Sequence, residues 1–413
     1  MRSSATKQWH TCKLVEAVGG PRNVVGGPFG SNLVTADYVS SGVPVIRGTN
    51  MKRTGRFVGG EFVFVSEEKA KQLESNAALP GDIIVTQRGT MGQVSIVPQN
   101  PYPHYVLSQS QMAVRAKGSE LDPEYLYQFL SSAVFERYIN ISTIQTGLPH
   151  INLTLLRDAP ISFPQTQLQR RIAETLRNWD DGIEKIDRLI AAKGIAFDHW
   201  SRGLLSGRYR IGRRRTNWPS VALTEVALEV TARNGSNRIG IDAVMGVNKL
   251  HGMIPMKEHV RAADLSRYKI VRPEAFAYNP MRLNIGSIAQ NSHGHDVLVS
   301  PDYVAFETDS DALLPAYFDH LRRTSIWSRF VKCAGSGGVR IRIYYEDLRD
   351  FVLDLPPVDE QARIVEALDM GRREIAVLER QRDALAKQKR GLMQKLLTGE
   401  WTVSAPKSQE AAE

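Results

Sequence analysis

The chain has only two cysteines in 413 residues. Cys12 and Cys333 stand far apart and neither belongs to a Cys-x-x-Cys pair, which excludes a disulfide framework and a cysteine zinc site. No apolar run approaches the ~18 residues of a membrane span. Met1 to Val15 holds no apolar stretch of signal-peptide length, so the expected compartment is a reducing cytoplasm. Catalytic signatures are missing as well. Gly26-Gly27-Pro28-Phe29-Gly30-Ser31-Asn32 and Gly335-Ser336-Gly337-Gly338 lack the lysine of a phosphate-binding loop and read as turns. There is no Gly-x-Ser-x-Gly elbow. His293-x-His295 has no acidic or cysteine partner at ligand spacing, so no metal is expected.

What is present is a globular composition: 42% hydrophobic, 23% charged, enough for two to three domains at ~150 residues each. Lys and Arg number 53 against 44 Asp and Glu, a net charge of +9. That excess suits a polyanionic partner such as nucleic acid, and equally a mildly basic soluble protein.

The chain repeats itself. Pro164 to Ile211 aligns with Pro356 to Val403 at a constant shift of 192 without a gap. Gln169 meets Gln361, Ile172 meets Ile364, Leu176 meets Leu368, and Leu204-Leu205-x-Gly207 meets Leu396-Leu397-x-Gly399. The same shift pairs Tyr125 with Tyr317 and Asp158 with Asp350; Arg88 and Gly92 meet Arg282 and Gly286 at 194. Trp9 matches Trp218 near the two starts, and the first copy carries extra residues between Pro21 and Gly60. The chain therefore reads as globule, helix, globule, helix.

The repeated segments predict long helices. Ile172, Leu176, Trp179, Ile183, Ile186 and Ile190 recur at alternating three and four, interrupted further on by Lys193. Ile364, Leu368, Ile375, Leu378, Leu385, Leu392 and Leu396 do the same, interrupted by Gly371, Arg382 and Lys389. Such seams mark a coiled coil, and each helix is the obvious partner of the other. Gly207 and Gly399 sit where a left-handed C-cap is wanted. The globules read as mixed α and β, with strands at Glu61–Val65, Asp82–Gln87, Gln93–Val97 and Gln111–Val114 and one helix each at Pro123–Phe135 and Pro315–Phe330. Ser404 to Glu413 reads as a flexible tail.

Polar loops stand in matching places of the two copies. The first offers Arg47, Asn50, Lys52, Arg53, Gln87, Arg88, Thr90, Gln109 and Gln111. The second offers Arg233, Asn234, Arg238, Lys249, Arg282, Asn284, Asn291, His293, Arg340 and Arg342. Arginine reads guanine and Asn or Gln reads adenine by paired hydrogen bonds, while Lys and Arg also hold phosphate. Each residue singly is also compatible with an ordinary solvated loop; together they form a candidate DNA-binding set.

Four features then resemble the specificity subunits of type I restriction–modification systems: Pro356-Pro357-Val358-Asp359-Glu360-Gln361 through Ile364, its degenerate copy from Phe163-Pro164 to Ile172, the Gly203-to-Gly207 ending, and Asn279-Pro280-Met281-Arg282-Leu283-Asn284-Ile285-Gly286. The first copy departs from the pattern, with Gln165 for the second proline and Leu168 for the glutamate. The resemblance implies an α+β fold with two target-recognition domains (1–160 and 208–355) separated by antiparallel coiled-coil helices (161–207 and 356–400) and a tail at 401–413. It further implies a non-catalytic DNA-reading subunit that recognises an asymmetric bipartite site. Two adenine methyltransferase subunits, which carry S-adenosylmethionine, and motor-nuclease subunits are the implied partners; this chain itself holds no cofactor. The rival readings are a stand-alone methyltransferase or nuclease and a coiled-coil protein without a DNA role. Asn100-Pro101-Tyr102 is similar to the adenine-holding motif of amino-methyltransferases but lacks its second proline.

Overall fold

The computed structural model describes residues 9–51, 55–87, 93–116, 118–146, 151–212, 217–256, 264–334 and 342–403. The chain divides into two compact units, Met1–Leu189 with Glu379–Glu413, and Ile190–Leu378. The seams do form two long helices, Thr166–Leu205 and Val358–Leu397, and each contributes residues to both units.

The repeat seen in sequence is a repeat of topology. In the first unit a four-stranded antiparallel sheet runs Val24–Gly26, Gln111–Val114, Ile83–Thr86, Val94–Ile96. In the second the order is the same: Ala227–Glu229, Val304–Thr308, Phe276–Tyr278, Ile288–Gln290. A short ribbon closes each unit onto its long helix, His10–Lys13 with Pro160–Phe163 and Ser220–Ala222 with Val352–Asp354. Most residues of the inner strands are buried, so they read as continuous apolar runs rather than alternating ones. The residues inserted in the first copy contribute to a five-stranded sheet in which Val43–Ile46 runs parallel to Tyr105–Leu107. Among the described residues, the second unit keeps the antiparallel pair Lys269–Val271 with Val297–Val299 and, where the parallel pairing stood, the bridge Val244 to Leu298.

Where single helices were expected, each unit has two. Pro123–Leu130 stops at Ser131 and the chain resumes as Ala133–Thr146; Pro315–Leu321 is followed by Ser325–Cys333. Ser132 and Thr324 each turn a side-chain hydroxyl back onto the carbonyl three residues earlier, the competition that ends a helix.

The long helices are antiparallel in both units. In the first, the Lys389 ammonium donates to Asp180 at 2.6 Å and Arg382 to Asp187 at 3.3 Å. In the second, Lys193 pairs with Glu374 at 2.5 Å, and Gly371 leaves room for the Phe197 ring. The residues that interrupt the apolar stripes are thus the interhelical contacts. The ends of the seams do something else. Ile172, Leu176 and Leu396, with Met393 and Leu397, are buried in the first globular core; Ile364 and Leu368, with Leu204 and Leu205, are buried in the second. Trp179, Ile183, Ile186, Ile190, Ile375, Leu378, Leu385 and Leu392 are only half-buried.

Two buried amides lock helix to globule identically. Gln169 accepts from the Asp122 amide and donates to the Glu120 and Pro164 carbonyls. Gln361 accepts from Leu314 and donates to Ala312 and Pro356. The caps match too: Gly207 and Gly399 both have φ +71°, and a Cβ there would lie 3.1 Å from the rings of Trp218 and Trp9 respectively. The departure at Leu168 has a counterpart in packing. Glu360 accepts from Arg210 through both carboxylate oxygens and from Trp218, whereas Leu168 and Trp9 pack against the first core as apolar residues. Burial opposes the Glu360 charge, but these hydrogen bonds outweigh it and hold the carboxyl below its usual range.

Candidate nucleic-acid interface

In the first unit three loops converge. The turn Ser108–Gln111 follows strand Tyr105–Leu107, and its Ser108 amide donates to Ile46 just before Arg47. The Gln87 amide donates to the Ser110 carbonyl, bringing the end of strand Ile83–Thr86 to the same turn. The glycine loop lies on its other side: Gly27 donates to the Gln111 carbonyl at 2.9 Å, and Gln109 donates from its side chain to Gly30 and, at 3.0 Å, to Leu33. Arg47, Gln87 and Gln109 thus share one edge of the unit.

Two residues expected there are used internally. Asn50 is buried; it accepts from the Arg47 amide and donates to the Gly59 and Glu61 carbonyls. Gln111 is buried and accepts from the Ser108 hydroxyl. Both pin the loops rather than present an amide. Arg56, a further basic residue of this segment, is paired with Glu124 and stacks over Phe57 and Tyr127. Lys52, Arg53, Arg88 and Thr90 lie outside the described residues.

In the second unit the hairpin Met245–Asn248 and Gly252–Pro255 carries Lys249 at its tip. The Lys249 stem lies over Gly286, where a Cβ would be 3.2 Å from it, so the hairpin tip meets the Arg282–Gly286 loop. Arg282 and Asn284 are exposed there. Arg342 is next: Ile343 donates to Pro280, and Arg342 shares a cleft of about 380 Å³ with Asn279, Met281 and Tyr344. Lys249, Arg282, Asn284 and Arg342 are therefore brought together.

The other second-copy residues divide. Asn234 is buried in its own loop, accepting from and donating to Ile239; Asn291 is buried between the Val271 and His295 carbonyls and the His293 amide. These two are corrections of the same kind as Asn50. Arg233 is exposed and donates to the Arg267 carbonyl, Arg238 is exposed, and His293 donates to the Met253 carbonyl at 3.0 Å. Arg340, with the Gly335–Gly338 loop and the tail from Ser404, lies outside the described residues.

Sequence reasoning overlooked two apolar residues in these polar surroundings. Phe29 is 88% exposed in the glycine loop, and Leu250 is 83% exposed beside Lys249. The signal was there, a phenylalanine between glycines and a leucine in a hairpin turn. It also overlooked a cleft of about 750 Å³ lined by Arg22, Arg115 and Arg157. Arg115 is committed to Asp82 through two hydrogen bonds and Arg157 to the Pro21 and Val24 carbonyls.

Comparison with known proteins bears on this arrangement. Residues 35–192 match the family described as the type I restriction modification DNA specificity domain. The type I restriction enzyme MjaVIII specificity subunit of Methanocaldococcus jannaschii is 27% identical over 130 residues, which span 29% of this chain and 30% of that protein. Among solved structures, the S subunit of a type I restriction–modification system from M. genitalium aligns over 96% of this chain and 97% of its own, with a TM-score of 0.51 and 12% identity. A chain from a study of complex assembly and conformational transition of the type I R-M system aligns over 95% and 98%, with a TM-score of 0.56 and 17% identity. The two structures establish the fold.

Proposed function

We propose that this chain, whose residues 35–192 match the type I restriction modification DNA specificity domain and which has the fold of a solved S subunit, is the DNA-reading subunit of such a system. It is not itself an enzyme in this reading. Each unit reads one half of a bipartite site, and because the two loop sets differ in sequence the site is asymmetric. The observation that carries the proposal is the pairing of topology with chemistry. Two units with the same sheet order each gather cationic and amide residues on loops: half-buried Arg47 and Gln87, with exposed Gln109 bracing the glycine loop, in one, and exposed Lys249, Arg282, Asn284 and Arg342 in the other. Arginine and glutamine or asparagine are the side chains that pair with base edges, and lysine holds phosphate.

The repeat also supplies two like surfaces for two copies of one partner. The partners in this reading are adenine methyltransferase subunits, which bring S-adenosylmethionine and the chemistry, with motor-nuclease subunits joining for cleavage in the cytoplasm. Among the described residues, no helix is long and apolar enough to cross a membrane.

Modified-base sequencing of host DNA with and without the gene tests the proposal. The expected result is the loss of one bipartite methyladenine motif on deletion. An unchanged methylation pattern, together with no methyltransferase co-purifying with the chain, would overturn it.

A further inference from the structure

We propose that Phe29 in the first unit and Leu250 in the second are apolar wedges that enter the duplex between adjacent base pairs, each at the half-site its unit reads. The inference rests on the DNA-reading function above and deepens it.

Single exposed apolar side chains are common on protein surfaces and mean little alone. What separates Phe29 from that background is the way its loop is held. Gly27 packs backbone to backbone on the turn, so closely that a Cβ would lie 2.0 Å from the Ser108 carbonyl oxygen. Pro28 is buried. Gln109 grips the carbonyls of Gly30 and Leu33 from the same turn, and Gly30 has φ +56°. The chain is pinned on both sides of residue 29, while the phenyl ring between those anchors is 88% exposed. A slack loop would fold such a ring onto the surface and recover hydrophobic burial; this one is braced against doing so.

The second unit arrives at the same arrangement by other means. Asn248 accepts from the amides of Leu250 and His251 at 2.9 and 3.1 Å, which sets the hairpin tip, and Gly252 follows at φ +73°. The Lys249 stem anchors the tip over Gly286. Leu250 projects with 83% of its surface exposed. In both units the apolar side chain belongs to a loop tied to those that carry residues suited to phosphate and base edges. The turn Ser108–Gln111 that braces the Phe29 loop also bonds the backbone next to Arg47 and at Gln87, and Lys249, next to Leu250, lies over the loop that carries Arg282 and Asn284. An apolar wedge inside a cationic, amide-rich rim is the composition of proteins that unstack and kink DNA; the rim holds the backbone and the wedge replaces lost stacking. A protein partner would instead favour a contiguous apolar patch.

The test uses the full chain in complex with its methyltransferase subunits and a duplex carrying the methylation motif. 2-Aminopurine replaces each adenine in turn except the methylated ones, which the methyltransferase subunits would extrude themselves, and pyrrolocytosine replaces each cytosine. A severalfold fluorescence rise at one step in each half-site is expected. Phe29→Ala should abolish the rise in one half-site only and weaken binding roughly tenfold, the scale of a lost stacking contact; Phe29→Leu should keep the rise. Leu250→Ala should act on the other half-site. A complex that binds the motif without a rise at any step, or whose rise survives both alanine variants, overturns the wedge and leaves DNA reading intact. A complex that binds no duplex overturns both. Loss of the methyltransferase from Phe29→Ala would place that ring at a protein contact and overturn the wedge.

Discussion

At the scale of single residues, the two copies solve one docking problem with different charges. Gln128 is buried and donates to Asp180; its counterpart 192 positions on is His320, which is buried and bonds Asp369 at 2.8 Å. Burial, and next the nearby Arg372 charge, push the imidazole below its ordinary value, against the pull of Asp369 and Asp319. The unfolded chain therefore takes up a proton near pH ~6.5 that the folded chain refuses. Stability from this group is complete above that pH and is lost as pH falls toward the folded value, at up to ~1.4 kcal/mol per pH unit. His320→Gln, which copies Gln128, should flatten this part of the loss; melting temperatures of both proteins from pH 7.5 to 5.5 check it, and parallel curves would refute it. A second expectation concerns Gln361. Gln361→Leu strands one amide and two carbonyls, and at ~1–3 kcal/mol for each buried unsatisfied group the second unit should lose at least about 3 kcal/mol in urea unfolding. Asparagines show where reading a sequence stops at this scale. Asn50, Asn234 and Asn291 look like base-reading amides, yet each is buried and spent on its own loop. Whether an amide faces outward is decided by which distant segment covers it, and the residue's own neighbours in sequence do not carry that information. Phe29 was missed for the converse reason, because an apolar residue is assumed to be inside until the fold leaves it out.

Among the elements, the helices were the most legible part of the chain, since a gapless repeat and a three-four stripe are local patterns. The break after Leu130 was not, because a serine hydroxyl ends a helix only when the next segment must turn to pack. The interruptions in the stripes carry information of their own. Asp180–Lys389, Asp187–Arg382 and Lys193–Glu374 all join one helix to the other, and all depend on antiparallel register. Lys389 is buried, so Asp180→Ala leaves an uncompensated charge and should cost about 3 kcal/mol. Asp180→Leu combined with Lys389→Leu removes the stranded ammonium and should recover part of that in chemical denaturation, the Gln128 amide staying without its acceptor; equal losses in single and double variants would show that the pair does not fix the register. A functional expectation follows for the same elements. One heptad added to each helix between these ion pairs preserves every partner and lengthens each helix by ~10 Å, about three base pairs. If the helices set the spacer of the site, the methylated motif should gain that length between unchanged half-sites.

For the whole molecule, the division into units does not follow the order of the chain. The first unit takes in residues from Glu379 onward, and its core includes Met393, Leu396 and Leu397. Trp9 rests against the cap at Gly399. The domain boundaries read from the repeat could not show this, because a repeat reveals which segments are alike and says nothing about which copy a helix end completes. Each buried leucine or methionine is worth roughly 2–5 kcal/mol, against a total stability of ~5–15 kcal/mol for a domain. During synthesis, then, the first unit waits unfinished while nearly the entire second unit is being made. Residues 9–189 leave the ribosome with an apolar face that nothing yet covers, and that face must be kept from aggregating until the second helix emerges. A chain that ends before Met393 lacks the residues that close the first unit's core, and its first unit should be cleaved by added protease faster than that of the full chain.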